Sequence, residues 1–489
     1  MRIRLFSILT FAALLILAAA SFAASAKGPL KILSVNPRYF TDGSGKAVFL
    51  TGSHTWNNLV EINRLQSHPT PAVDFGNYLS FLKARNHNCF RLWAWENAAS
   101  FDSTGKITYQ HDPMPYLRSG PGNALDGKPR FDLNKFNPVY FDRLRSRVIA
   151  ARDSGMYVIV MLFQGFSILD KGHDNPWKGH PLNAANNINK IDGDPDNDGK
   201  GLEAHSLAIP ALTAFQEAYV RKVIDMVNDL DNVLYEITNE DNGTAEDIAW
   251  QYHMIDFIKK YESGKPKQHM VGMTVQWPDG KNSMLFNSPA DWISPNGEGG
   301  FQTDPPAADG SKVILNDTDH SFYYIALQKA GLGSQRAWVW KNFTRGNQTM
   351  FMDPYIDPTP WYVLTRNSPQ AGKPDPYWDT IRQNMGYTRR YAEKMNLADA
   401  TPQNGLSSTS YCLAEPGHQY LVYQPEAGAA FTVTLQAGKY NFEWFNPVSD
   451  TVAATGTFTS GEGSRSFTPP FNNDAVLYLT DKSTEGMGK

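Results

Sequence analysis

Two acid-bearing segments of this sequence have the residue types and placement needed for general acid/base work. The first is Val233-Leu-Tyr-Glu-Ile-Thr-Asn-Glu-Asp241, an apolar, strand-like run that ends abruptly in Asn239 and Glu240. A carboxyl at that place can give up or take back a proton beside a bound substrate. The plain alternative is a helix-capping Asn followed by a solvated Glu. The second segment, Lys312-Val-Ile-Leu-Asn-Asp-Thr-Asp-His320, ends an apolar run in the same way, with two acids. Cleavage of a glycosidic bond needs two carboxyl groups flanking it: one protonates the leaving oxygen, and the other attacks the sugar carbon or activates water. Glu240 is the candidate acid/base. Asp317 and Asp319 share a face in strand geometry, so either could reach the same space. Asp317 is the expected nucleophile, supported through hydrogen bonds by Asp319 or His320. An Asp-rich turn capping a helix at Ser321 is the competing reading.

The two segments must be brought together by the elements around them. Strand-like runs alternate with amphipathic helical ones, the pattern of parallel βαβ units. A hairpin over residues 30–52 leads into a first strand, Ala47 to Thr51. Further strands are expected at Cys89 to Trp95, Tyr157 to Phe163, Val233 to Asn239, His269 to Val275, Asp291 to Ser294, Lys312 to Asp317 and Gln348 to Asp353. A helix begins at Asn137-Pro138, a cap followed by proline at the first helical position, and stops near Gly155. Another begins at Pro210, with apolar residues at helical spacing. Eight successive units favour a closed (β/α)8 TIM barrel, and no Gly-x-Gly-x-x-Gly follows the first strand to suggest a dinucleotide. In such a barrel strands four and seven face each other, and side chains at their carboxyl ends line the mouth. Residues 399–489 lose helical periodicity and read as a small all-β sandwich, either a cap on the barrel or a carbohydrate- or matrix-binding module. The expected domains are thus 27–398 and 399–489.

Tyr235-Glu-x-x-Asn-Glu240, with an acid after strand seven, resembles the clan A retaining glycoside hydrolases. That resemblance implies a strand-four Glu as acid/base and a strand-seven acid as nucleophile. Phe49-Leu-Thr-Gly-Ser-His-Thr-Trp56 and the C-terminal segment are similar to the apiosidase-like family, whose β-sandwich domain is named for collagen binding. Those families carry Glu on strand seven, whereas this chain has Asp317-Thr-Asp319; Asp is one methylene shorter and widens the carboxyl gap.

Other residues at the expected mouth suit a sugar. Arg91 can brace the nucleophilic carboxylate and keep it ionised, and an Arg in so apolar a strand needs an acidic partner in any case. Trp56, Trp93, Trp95 and Trp277 offer flat faces for a sugar ring, and Glu96 a grip for hydroxyls. His54, Gln164, Asn239, His320, Asp353 and Tyr355 are candidates by location. Trp177 and Trp292 lie at the same rim, where some of these rings are core.

The N-terminus runs from Arg2 and Arg4 through an apolar stretch to Ala24-Ser-Ala26, the order of a secretory signal peptide over residues 1–26. A secreted or periplasmic protein follows, with no membrane association once that segment is removed. The formal net charge is −4 over 489 residues, and without a Lys/Arg run there is no electrostatic case for nucleic acid. Two cysteines, Cys89 and Cys412, fall in different domains and supply no disulfide framework. Asp192-Gly-Asp-Pro-Asp-Asn-Asp-Gly199 resembles a calcium loop, but from Asp194 the twelfth position is His205, and from Asp192 the turn glycine is Asn197. No metal and no cofactor are expected. The sequence therefore predicts a secreted, retaining glycoside hydrolase acting on a plant or bacterial polysaccharide or oligosaccharide. A noncatalytic adhesin on a barrel scaffold and a calcium-dependent matrix binder are the alternatives.

Overall fold

A computed structural model describes residues 28–481 except 66–70, 169–173, 278–279, 323 and 358–371. The expected signal segment lies outside the described residues. Eight parallel strands make one sheet: β1 (Thr51–His54), β2 (Cys89–Leu92), β3 (Tyr157–Gln164), β4 (Val233–Asn239), β5 (Val271–Thr274), β6 (Trp292–Ser294), β7 (Val313–Asp317) and β8 (Gln348–Met352). Ladders run in order from β2 through β8 and then to β1. The seam between β1 and β2 is held by the Asn88 N–H to Thr51 O bond (3.0 Å) and by Asn88 Oδ1 accepting from the Thr51 N–H (2.9 Å). Only a glycine fits there, because a Cβ on Gly52 would lie 1.7 Å from the Cys89 carbonyl oxygen.

The helices form where the sequence places caps and spacing. Asn137 caps α2 (Pro138–Asp153) by accepting from the Val139 N–H, and Thr244 caps α4 (Ala245–Glu262) through the Asp247 N–H. With α1 (Phe75–Ala84) and α3 (Pro210–Val227) they bury Tyr78, Leu144, Val223 and Ile255 against the outside of the strands.

Two expectations need correction. The first barrel strand begins at Thr51 rather than spanning residues 47–51; Val48 instead donates to the Phe40 carbonyl, so the stretch before Thr51 pairs with the N-terminal hairpin. Lys31–Ile32 pairs with Phe40–Thr41, and the chain then reverses over residues 42–47 to the antiparallel Phe40–Val48 bridge. Cys89 begins a strand that stops at Leu92, where Asn58 Oδ1 takes the Trp93 N–H and diverts the backbone. The long loop after β2 is itself ordered: Ala99–Phe101 and Ile107–Asp112 pair, and Glu61–Arg64 joins them as a third strand.

Two short helices, α5 (Asn282–Phe286) and α6 (Thr318–Ser321), follow β5 and β7. Beyond α7 (Tyr324–Thr344) and α8 (Asp379–Lys394), residues 401–481 form a six-stranded antiparallel sheet facing a two-stranded one, Phe431–Leu435 with Gly463–Phe467. Both cysteines are free and buried. Among the described residues, no helix is long and apolar enough to cross a membrane.

Candidate functional site

At the carboxyl end of the barrel, Arg91 is the centre of a buried charge network. It leaves β2 fully enclosed and meets two acids from opposite walls. Its Nε donates to Glu236 Oε2 (2.5 Å), its Nη2 to Glu236 Oε1 (2.9 Å), and its Nη1 to Asp317 Oδ2 (2.6 Å). The same Asp317 oxygen lies 2.8 Å from His54 Nε2, and Oδ1 accepts the Asp319 N–H at 3.0 Å, which caps the short helix Thr318–Ser321. Burial works against charge on Asp317, but His54 and Arg91 outweigh it and hold its carboxyl well below the usual range. Burial lowers the His54 imidazole despite that carboxylate. Burial also opposes charge on Arg91, and the Glu236 and Asp317 carboxylates more than restore it.

Glu236 is the residue that sequence reasoning missed. An acid within the apolar β4, in phase with Glu240 by strand alternation, was the available signal. It is fully buried, and Thr274 of β5 donates to it as well.

The ends of β4 and β7 do converge. Asn239 Oδ1 lies 2.9 Å from His320 Nε2, and His320 Nδ1 lies 3.0 Å from Ser294 Oγ of β6. On its other side Asn239 donates to Gln164 Oε1 (3.3 Å). Gln164, Asn239, His320 and Ser294 thus form one chain across the mouth from β3 to β6. Glu240, the next residue, is half-buried and sits at φ 44°, in the left-handed region, so the chain turns sharply as it leaves β4. Asp319 is 9 % exposed against 0 % for Asp317, which places it nearer the opening.

The aromatic candidates divide. Trp277 (45 % exposed) stands open to solvent, as does Phe166 (43 %), which follows Gln164 and had no sequence signal beyond its loop. Trp93 is buried and stacks on His54, with ring centroids 5.2 Å apart. Trp95 stacks on His111 and donates to the Trp56 carbonyl, while Trp56 Nε1 meets Met352 Sδ (2.7 Å). Trp177 and Trp292 are core. Asp353 is engaged by Arg382 of α8 through two bonds (2.5 and 2.7 Å), and Tyr355 packs on Tyr78 and Phe81, so these two bind the barrel to its helices.

Glu96 belongs to a second buried cluster. Its Oε1 lies 3.1 Å from His205 Nε2 and accepts the Gln164 N–H (2.6 Å), and Oε2 lies 3.5 Å from His180. Burial disfavours its charge, yet His205 and His180 bring its pKa down to about 2. In the acidic loop, Asp194, Asp196 and Glu203 each bring one oxygen within 4.8 Å of the others.

A family model described as "Domain of unknown function (DUF6298)" matches residues 109–289. No curated protein matches the chain. Among solved structures, a glycoside hydrolase family 5 protein from Bacteroides vulgatus ATCC 8482 is similar at 13% identity and a TM-score of 0.59, covering 95% of each chain. A second structure from that organism, titled "Crystal structure of a putative glycoside hydrolase", has 12% identity and a TM-score of 0.59, covering 93% of this chain and 82% of the other. A third, titled "Glycoside hydrolase", has 14% identity and a TM-score of 0.55, covering 94% and 98%. At such identities the likeness is one of fold: a (β/α)8 barrel with an appended β-domain.

Proposed function

We propose that this chain is a secreted glycoside hydrolase that cleaves an O-glycosidic bond in a plant or bacterial polysaccharide or oligosaccharide by a two-carboxylate, retaining mechanism. The observation that carries the reading is the convergence of the β4 and β7 ends, where Asn239, the neighbour of Glu240, is linked to His320, three residues beyond Asp317. The barrel likeness to glycoside hydrolases supports it, and the apiosidase-like family is the narrower affiliation we favour.

In this mechanism Glu240 protonates the leaving-group oxygen while an ionised Asp317 attacks the anomeric carbon. Glu240 then takes a proton from water, which releases the glycosyl group from Asp317. Arg91 and His54 suit that nucleophile, because their bonds keep it charged in a site otherwise too dry for an acid. Asp319 hydrogen-bonds and orients. Trp277, Trp56, Trp95, Gln164, Asn239 and His320 contact the sugar, and no cofactor takes part. The segment 1–26 directs export, and residues 27–398 and 399–489 are the barrel and its β-domain.

The test is a glycan screen followed by variants. Glu240→Gln and Asp317→Asn should each lower kcat by roughly 10³-fold or more while the fold is kept, on the scale of losing a member of a catalytic group. Asp319→Asn should cost far less. An inactive Asp319→Asn beside an active Asp317→Asn would move the nucleophile to Asp319, and inversion at the anomeric carbon, read by NMR, would exclude the covalent step. The enclosure of Asp317 favours one second reading, a sugar-binding barrel without turnover. Glycan binding by the wild type with no released sugar would establish it.

A further inference from the structure

We propose that His205 is a positioning residue for the Glu240 turn: a buried cross-brace that ties the Glu96 carboxylate beyond β2 to the Asp241 carboxylate beyond β4. The proposal rests on the reading of Glu240 as acid/base.

His205 comes from the loop between β3 and α3, far in sequence from either acid, and has no exposed surface. Nδ1 lies 2.6 Å from Asp241 Oδ2, and Nε2 lies 3.1 Å from Glu96 Oε1. An imidazole with an acceptor carboxylate at each nitrogen satisfies both only when both nitrogens carry a proton. Its ring is fixed from the side, stacked on Trp250 of α4 at 4.3 Å and 6° and met edge-on by Phe163.

Asp241 is held at three further points. Its Oδ1 accepts the Asn242 N–H, its carbonyl accepts the Trp277 N–H (2.9 Å), and Gly165 presses against its backbone. A Cβ on Gly165 would lie 2.4 Å from the Glu240 oxygen and 2.5 Å from the Asp241 Cα. Glu240 therefore sits in the left-handed region between the strand end and a residue that cannot shift. A non-glycine backbone there is strained and persists only when its surroundings over-determine it. His205 joins this turn to the opposite side of β3 through its two ring nitrogens.

The charged groups facing the ring are Glu96, Asp241, His180 and, behind Asp241, Asp247. Burial disfavours the imidazolium, but Asp241 and Glu96 outweigh burial and His180, and keep the ring protonated well above the ordinary histidine range. Burial and the neighbouring Asp241 carboxylate push the Asp247 carboxyl well above its usual range. The brace is thus intact at neutral pH, and it is broken by deprotonation of His205 at high pH or protonation of its acids at low pH.

The test uses the mature protein and His205→Gln. The amide cannot serve two carboxylates, so kcat should fall about 10- to 100-fold, the scale of a misplaced catalytic group, with KM within about threefold. Adding Glu96→Gln should cost much less than the sum of the single losses, because one of the two opposed acids is gone. A crystal structure of His205→Gln should show Glu240 out of the left-handed region. A lowered melting temperature with kcat, KM, pH profile and the Glu240 turn unchanged would reduce His205 to a structural residue. Should the variant fail to fold, NMR of 15N-histidine-labelled wild type decides: both ring nitrogens protonated at pH 7.5 support the brace, and one protonated nitrogen overturns it. If the wild type hydrolyses no glycoside, the acid/base reading fails, while the NMR and crystallographic outcomes still judge the brace.

Discussion

Arg91 shows how a single residue sets the electrostatics of the barrel interior. One guanidinium serves Glu236 and Asp317, and all three side chains are enclosed, so removing the cation leaves two buried carboxylates facing each other. Arg91→Met should therefore destabilise the protein by at least 3–5 kcal/mol, the usual cost of breaking a buried ion pair, read as a drop in the urea midpoint. Acid should act on Asp317 and on Glu96 of the second buried cluster. Asp317 and Glu96 both have pKa values below their unfolded ones, Glu96 at about 2. Groups of that kind stabilise the fold above the unfolded carboxylate pKa of about 4 and lose the contribution as pH falls through the folded value. Urea midpoints should thus hold between about pH 5 and 6.5 and fall steeply toward pH 2. Glu96→Gln should flatten that decline, and an unchanged acid limb would show that the carboxylate is not ionised in the fold. His205, raised rather than lowered, has the opposite sign: its contribution is complete below pH 6.5 and is lost as pH rises through the folded value.

At the scale of elements, the closure of the barrel depends on how near β1 can come to β2. Gly52 permits a contact that any side chain would block, since its Cβ would sit 1.7 Å from the Cys89 carbonyl oxygen, an immovable backbone atom. Gly52→Ala should cost at least 1–3 kcal/mol and reduce activity as well, because His54, at the end of β1, holds Asp317. Thermal unfolding and kcat measured on the same preparation check both parts, and a wild-type melting temperature would show that the seam relaxes freely. The alternation of strands and helices was legible from periodicity, and the Asn137 cap from the Asn-Pro pair. The small sheet of Glu61–Arg64, Ala99–Phe101 and Ile107–Asp112 was not, because strands so short take their pairing from partners distant in the sequence.

For the whole molecule, the β-domain is packed onto the barrel rather than tethered to it. Trp340 of α7 and Tyr391 of α8 are buried against Tyr423 and Phe445 of the sandwich, and Arg336 is paired with Asp474 at 2.5 Å. Trp340→Ala should cost about 3–5 kcal/mol. Because the contact is shared, calorimetry should show one unfolding transition for the full chain, and a barrel transition unaffected by the substitution would refute the coupling. This apolar junction fits the structural cap among the two roles that the sequence left open for residues 399–489.

The sequence by itself determined the eight-unit barrel, the β-domain that follows and the two acid-bearing strand ends, because periodicity, caps and the abrupt passage from apolar run to acid are local properties. Tertiary structure alone decided which charges meet. Local pattern marks Glu236 as an acid in an apolar strand but does not name Arg91 as its partner, and nothing local distinguishes Asp353 and Tyr355 from lining residues, or His205 from any loop histidine. Each of those roles is defined by burial and by a partner tens to hundreds of residues away, and both come into being only when the barrel closes.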